Sequence, residues 1–101
     1  MIYLVSYDIT NNRLRKKIAD KLLEYGLSRL QYSVFAGPLT TSLLAKLQLF
    51  LKQRLVDSGT PTDKILIIPI TQQNLQTMIQ LGESKLDLLY LSGLQNTLYI
   101  G

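Results

Sequence analysis

At 101 residues the chain is long enough for one domain with one modest core, and an apolar share of 47% excludes a disordered polymer. It contains no cysteine and no histidine, which rules out disulfides, thiol chemistry, an imidazole base and imidazole metal ligands. Eleven Lys and Arg against seven Asp and Glu give a net charge of +4, a mild lean toward anionic partners. No apolar run approaches a bilayer span, and Met1 leads straight into strand residues without a visible secretory signal. The expectation is a cytoplasmic protein.

The first stretch, Met1 to Thr10, reads as one strand. Tyr3, Val5, Tyr7 and Ile9 share one face, and Ile2, Leu4, Ser6 and Asp8 share the other. Both faces begin apolar, so the pattern predicts a central strand covered on both sides. The second face turns polar at Ser6 and ends on a carboxylate. A carboxylate in such a place has two readings. Asp8 either sits in the turn and caps the next helix, or it pairs with a cation that offsets its burial.

A helix is predicted from Asn12 to Tyr25, with Thr10, Asn11 and Asn12 as capping residues and Gly26 as the stop. Leu14, Ile18, Leu22 and Tyr25 form its apolar stripe, widened by Ala19 and Leu23. Arg13, Arg15, Lys16 and Lys17 crowd the first turns, where the helix dipole favours acids. That cluster is either a solvated face relieved by Asp20 and Glu24, or a phosphate-contacting patch beside Asp8.

Leu27 to Leu39 contains strand-favouring Tyr32, Val34 and Phe35, with Arg29 among apolar neighbours and Gly37-Pro38 as the end. Its length suits two short antiparallel strands, or one strand bent near Gln31 to Ser33. A second helix is predicted from Thr41 to Val56 on the stripe Leu43, Leu44, Leu47, Leu51 and Leu55, with Phe50 alongside. Lys46, Lys52 and Arg54 are expected in water. A loop over Asp57 to Thr62 leads to a strand from Asp63 to Ile70, whose aliphatic run predicts burial on both faces. Gln72 to Leu75 reads as a turn or short helix, and Thr77 to Gly82 alternates like an edge strand. The apolar runs from Leu86 to Leu91 and Leu98 to Ile100 predict a tail packed on another surface, most economically a second copy of the chain.

The order strand, helix, strand, strand, helix, strand is the ferredoxin-like βαββαβ arrangement, an α+β fold with both helices on one sheet face. The domain is expected over residues 1–82, with 83–101 an extension on the partner. A homodimer stacking sheet on sheet would cover the second face of the first strand and bring two copies of Asp8 near one axis.

Tyr3-Leu4-Val5-Ser6-Tyr7-Asp8-Ile9-Thr10, Leu14-Arg15, Gly26-Leu27, Arg29 through Gly37 and Ile67-Ile68-Pro69-Ile70 together resemble the family of the second CRISPR-associated protein. The resemblance covers roughly residues 1 to 82. It implies a ferredoxin-like homodimer whose last strand adds to the partner's sheet. It also implies metal-dependent cleavage of single-stranded RNA, or of double-stranded DNA, and assembly with the CRISPR integrase that inserts spacer DNA. On this resemblance Asp8 is the magnesium ligand and the catalytic residue, with Tyr7 beside it. Arg15, Lys17, Arg29 and Phe35 also fall at family positions, and the run from Leu86 onward departs from the pattern. Arg13, Arg15, Lys16, Lys17 and Arg29 are then the expected nucleic-acid contacts, with Tyr7 and Phe35 in support. The alternative is a non-catalytic scaffold that presents basic surfaces to DNA within the integrase complex. A third possibility is an unrelated ferredoxin-like dimer that binds a small regulatory ligand.

Overall fold

The computed structural model describes residues 1–82. Strand β1 (Ile2–Asp8) leads into helix α1 (Asn12–Glu24), followed by β2 (Ser28–Gln31), β3 (Val34–Pro38), helix α2 (Thr41–Ser58), β4 (Lys64–Ile70) and the short helix α3 (Gln72–Gln76). The sheet runs β2-β3-β1-β4, and every neighbouring pair is antiparallel. This is the ferredoxin-like α+β fold that the element order predicts.

Strand β1 lies in the middle of the sheet because both of its edges find partners. Val5 faces Phe35 on β3 and Ile67 on β4 in register. Tyr3, Val5, Tyr7 and Ile9 point to the helices. There they join Leu14, Ile18 and Leu22 of α1 and Leu47 and Leu51 of α2 around the fully buried Phe35. Burying each aliphatic side chain of this kind stabilises the fold by roughly 1.5–3 kcal/mol.

The start of α1 is set by Asn11, whose side-chain oxygen accepts from the Leu14 backbone N–H at 2.9 Å. Its end is set by Gly26 at φ +92°, a conformation that costs glycine little. The Leu27 N–H donates to the Leu22 carbonyl and the Gly26 N–H to the Leu23 carbonyl, which closes the helix with a Schellman turn. Gly37 on β3 matters for another reason. A Cβ there would stand 3.0 Å from the Leu27 Cα, so glycine lets β3 lie close under that turn. Helix α2 begins at the cap Thr40 and runs two residues beyond its predicted end, to Ser58.

The second face of the sheet differs from the prediction. Only Ile2 is buried there, with Ala36 of β3 and Leu75 of α3. Leu4 and Ser6 are half-buried, and Leu66 and Ile68 of β4 are 54% and 44% exposed. The aliphatic run of β4 therefore alternates in and out as the outer strand of an open sheet, and does not mark burial on both faces. Pro69 is tolerated because β4 pairs on one side only within the chain.

Three smaller expectations also change. Thr77 to Gly82 forms no strand, and Ile79 and Leu81 are strongly exposed. Leu43 leaves the α2 stripe for the surface. Arg54 is not free in water: it pairs with Asp57 at 3.0 Å and lies over the Phe50 ring. The additional C-terminal strand and the packing of 83–101 on a partner lie outside the described residues. Among the described residues no helix is long and apolar enough to cross a membrane.

Candidate active site and basic surfaces

Strand alternation splits the predicted site residues between the two faces of the sheet. Asp8 ends β1 on the open face and is exposed. Its partner in register is Lys64 of β4, a neighbour that local sequence spacing did not reveal, yet the two form no ion pair. The Asp8 carboxylate makes no hydrogen bond among the described residues, so it is not the cap of α1; Asn11 fills that place. The cost of leaving an acid here is small because water reaches it.

Tyr7 points the other way, into the core. Its ring stacks with Phe35 at 6.2 Å between centroids, and its hydroxyl donates to the Tyr32 carbonyl at 3.4 Å, a long and weak bond. Arg29 leaves edge strand β2 on the same side, with its guanidinium 4.8 Å from the centre of the Phe35 ring and 5.7 Å from that of Tyr32. Tyr7, Arg15, Lys16, Arg29 and Tyr32 line one cleft of about 390 Å³ between α1 and β2. Cations beside an exposed ring suit phosphates with an unpaired base nearby. Asp8 is not part of this cleft.

Arg13 and Lys17 turn toward a second, wider groove between α1 and α2, shared with Lys21, Glu24, Phe50 and Arg54. Much of its charge is already matched: Lys16 pairs with Asp20, and Lys21 with Glu24. Arg13 and Lys17 make no ion pair among the described residues. Like Lys46, Lys52 and Lys64, they are exposed cations that no ion pair offsets among the described residues.

Arg15 is half-buried and partly engaged. One of its terminal nitrogens, Nη1, donates to the Ile9 carbonyl at 2.7 Å and to the Thr10 carbonyl at 3.2 Å. The same turn is held from the other side by Asp63, a residue that sequence reasoning left inside a strand. Asp63 Oδ1 accepts from the Thr10 N–H at 3.1 Å and the Thr10 hydroxyl at 3.2 Å, and Oδ2 accepts from the Thr60 N–H at 2.9 Å. These bonds hold the Asp63 carboxyl below its ordinary value of 3.8: the Thr60 N–H lowers it most, desolvation opposes this as the next largest effect, and the Thr10 N–H and the threonine hydroxyls add to the lowering.

As a metal site, Asp8 offers one hard oxygen donor that nothing else occupies. That suits magnesium, which keeps several waters and needs only one or two carboxylates. Among the described residues no three acidic side chains converge on a common point.

A family model described as "CRISPR associated protein Cas2" matches residues 1–78. A relative from Pyrobaculum aerophilum, named CRISPR-associated endoribonuclease Cas2 2, is 39% identical over 82 residues, 81% of this chain and 87% of its own length. A Cas1/Cas2 endonuclease fusion from Thermoproteus tenax is 47% identical over 47 residues, 46% of this chain and 18% of that protein. The crystal structure of Streptococcus pyogenes Cas2 superposes with a TM-score of 0.69 over 81% of this chain and the whole of the other, at 23% identity, and so supports the fold alone. With the family model spanning β1 through α3 and the Pyrobaculum relative matching over most of both lengths, the chain belongs to the CRISPR-associated Cas2 family.

Proposed function

We propose that this protein is a CRISPR endonuclease that hydrolyses phosphodiesters, in single-stranded RNA or in double-stranded DNA, with magnesium held at Asp8. The observation that carries the reading is an exposed carboxylate without an ion pair at the end of the central strand, on an open face lined by Leu4, Leu66 and Ile68. A second copy laid on that face adds its own Asp8. The ion, when bound, acidifies a water and offsets charge on the phosphate. Lys64 stands in register beside Asp8 to draw in a phosphate. Arg13, Lys16 and Lys17 hold the backbone on either side, and Arg29 with Tyr32 receives an unpaired segment. The proposed partners are therefore a second copy of the chain, nucleic acid and the integrase subunit. For the last, the Thermoproteus fusion supports a Cas1-type companion.

One observation favours a second reading. Among the described residues no group of three acids surrounds Asp8, which makes a thin metal site, and a dimer can serve as a rigid spacer that presents basic surfaces to DNA during spacer integration. Spacer acquisition in cells carrying wild type or Asp8→Ala separates the two. Loss of acquisition with the variant protein present at normal levels supports a catalytic Asp8 in that pathway. Wild-type acquisition in Asp8→Ala leaves the scaffold role as the physiological one.

A further inference from the structure

We propose that Asp63 is a positioning residue for Asp8, which holds the turn where β1 ends while Arg15 holds the same turn from the opposite side. The inference rests on the nuclease reading above, since it assigns Asp63 to the same site.

The geometry is that of a strand ladder extended by side chains. Pairing between β1 and β4 ends at Asp8 opposite Lys64. Asp63 is the next residue along β4's chain, and its carboxylate takes the Thr10 N–H and hydroxyl just beyond the last backbone pair. It also takes the Thr60 N–H, so the loop before β4 is tied to the loop after β1. Arg15 then accepts the load from the carbonyl side, through Ile9 and Thr10. The Ile9–Thr10 peptide thus meets a carboxylate at its N–H and a guanidinium at its carbonyl. Charge-assisted bonds of this kind are about twice as strong as neutral ones. Thr10 is exposed and Asp63 adds nothing to the apolar core, so the arrangement stabilises little apart from the turn itself. Buried Ile9 anchors that turn from below. Without the clamp, the end of β1 would fray and the Asp8 carboxylate would sample many directions. Displacing a reacting group by about 1 Å can cost about a hundredfold in rate.

The test compares wild type, Asp63→Asn, Asp63→Glu and Thr10→Val in the full chain. Backbone amide exchange at Thr10 and Asn11 is followed by NMR, and kcat and KM are measured on single-stranded RNA with saturating magnesium. Asp63→Asn should speed Thr10 exchange and lower kcat by about tenfold, short of the about hundredfold cost of a full misplacement, with KM within about twofold. Asp63→Glu should recover most of kcat, and Thr10→Val, which removes only the hydroxyl bond, should fall between. Asp63→Asn in an Asp8→Asn background should still loosen Thr10 but change cleavage no further. Faster Thr10 exchange with wild-type kcat would overturn the proposal and leave Asp63 a purely structural clamp. A wild type that does not cleave would overturn the nuclease reading, and this proposal with it, and the exchange contrast would identify that case. If Asp63→Asn does not fold, Thr10→Val alone decides: unchanged kcat overturns the proposal.

Discussion

Asp8 and Asp63 are both surface carboxylates, yet their surroundings set them to different tasks. The Asp8 carboxylate has no hydrogen-bond partner among the described residues and stays available to a cation, whereas that of Asp63 accepts three hydrogen bonds from Thr10 and Thr60. The depressed Asp63 carboxyl has a consequence for acid stability. Its folded value lies below its unfolded one, so its contribution is complete above the unfolded value of 3.8 and is lost as pH falls through the lower, folded value. Wild type should therefore lose more stability than Asp63→Asn between neutral pH and the acid end of that window, measured by thermal melts at several pH values. Asp8 was legible in the sequence because strand alternation and an abrupt change of polarity expose it. Asp63 was not, because its partner Thr10 lies 53 residues away and nothing in local spacing brings the two together. A comparable separation from Asp8 hid Lys64. The basic residues are separable too. Lys17→Ala should lower the salt slope of nucleic-acid binding by about one, as for one lost phosphate contact. Arg15→Ala should lower the slope similarly and should also slow cleavage, since it releases the Ile9 and Thr10 carbonyls. Equal cleavage in the two variants would contradict the second role of Arg15.

Helix α1 shows how far element-level reading goes. Its central stripe, its Asn11 cap and its Gly26 stop are all encoded locally and each is present, but Leu23, expected to widen the stripe, faces solvent because it lies too far round the helix from the sheet. Asn11→Ala should cost about 1 kcal/mol in urea unfolding, the usual effect of losing such a cap. A variant as stable as wild type would mean the Leu14 N–H finds another acceptor. The α2 stripe was read one residue too wide at Leu43, because a leucine-rich helix has apolar residues nearly all round and periodicity alone cannot say which face wins. Strand β4 misled for a related reason. An unbroken aliphatic run signals burial on both faces only when both faces have a covering layer, and the second cover is not within residues 1–82. The alternation over Thr77 to Gly82 carries no strand among the described residues.

The sheet has helices on one side and exposed Leu66 and Ile68 on the other, an arrangement that calls for a second apolar surface. On the proposed reading that surface is another copy, which also completes the pair of Asp8 residues. Wild type should run in light scattering at twice its 11.5 kDa chain mass at micromolar concentration. Ile68→Arg should shift it toward monomer and reduce cleavage together, while a monomeric wild type would remove the second carboxylate from the account. Fold and family were legible because the βαββαβ order and the Tyr7-Asp8 strand end are written in contiguous residues. The proposed dimer was legible in the apolar second face of the first strand, the apolar tail and the family resemblance. The most direct measurement is RNA cleavage by purified wild type and Asp8→Asn, matched for fold and dimerisation, across neutral pH with magnesium. The chain contains no histidine, so the wild-type rate should rise with pH, and Asp8→Asn should be inactive at every pH. Cleavage by Asp8→Asn at the wild-type rate would place the active site elsewhere.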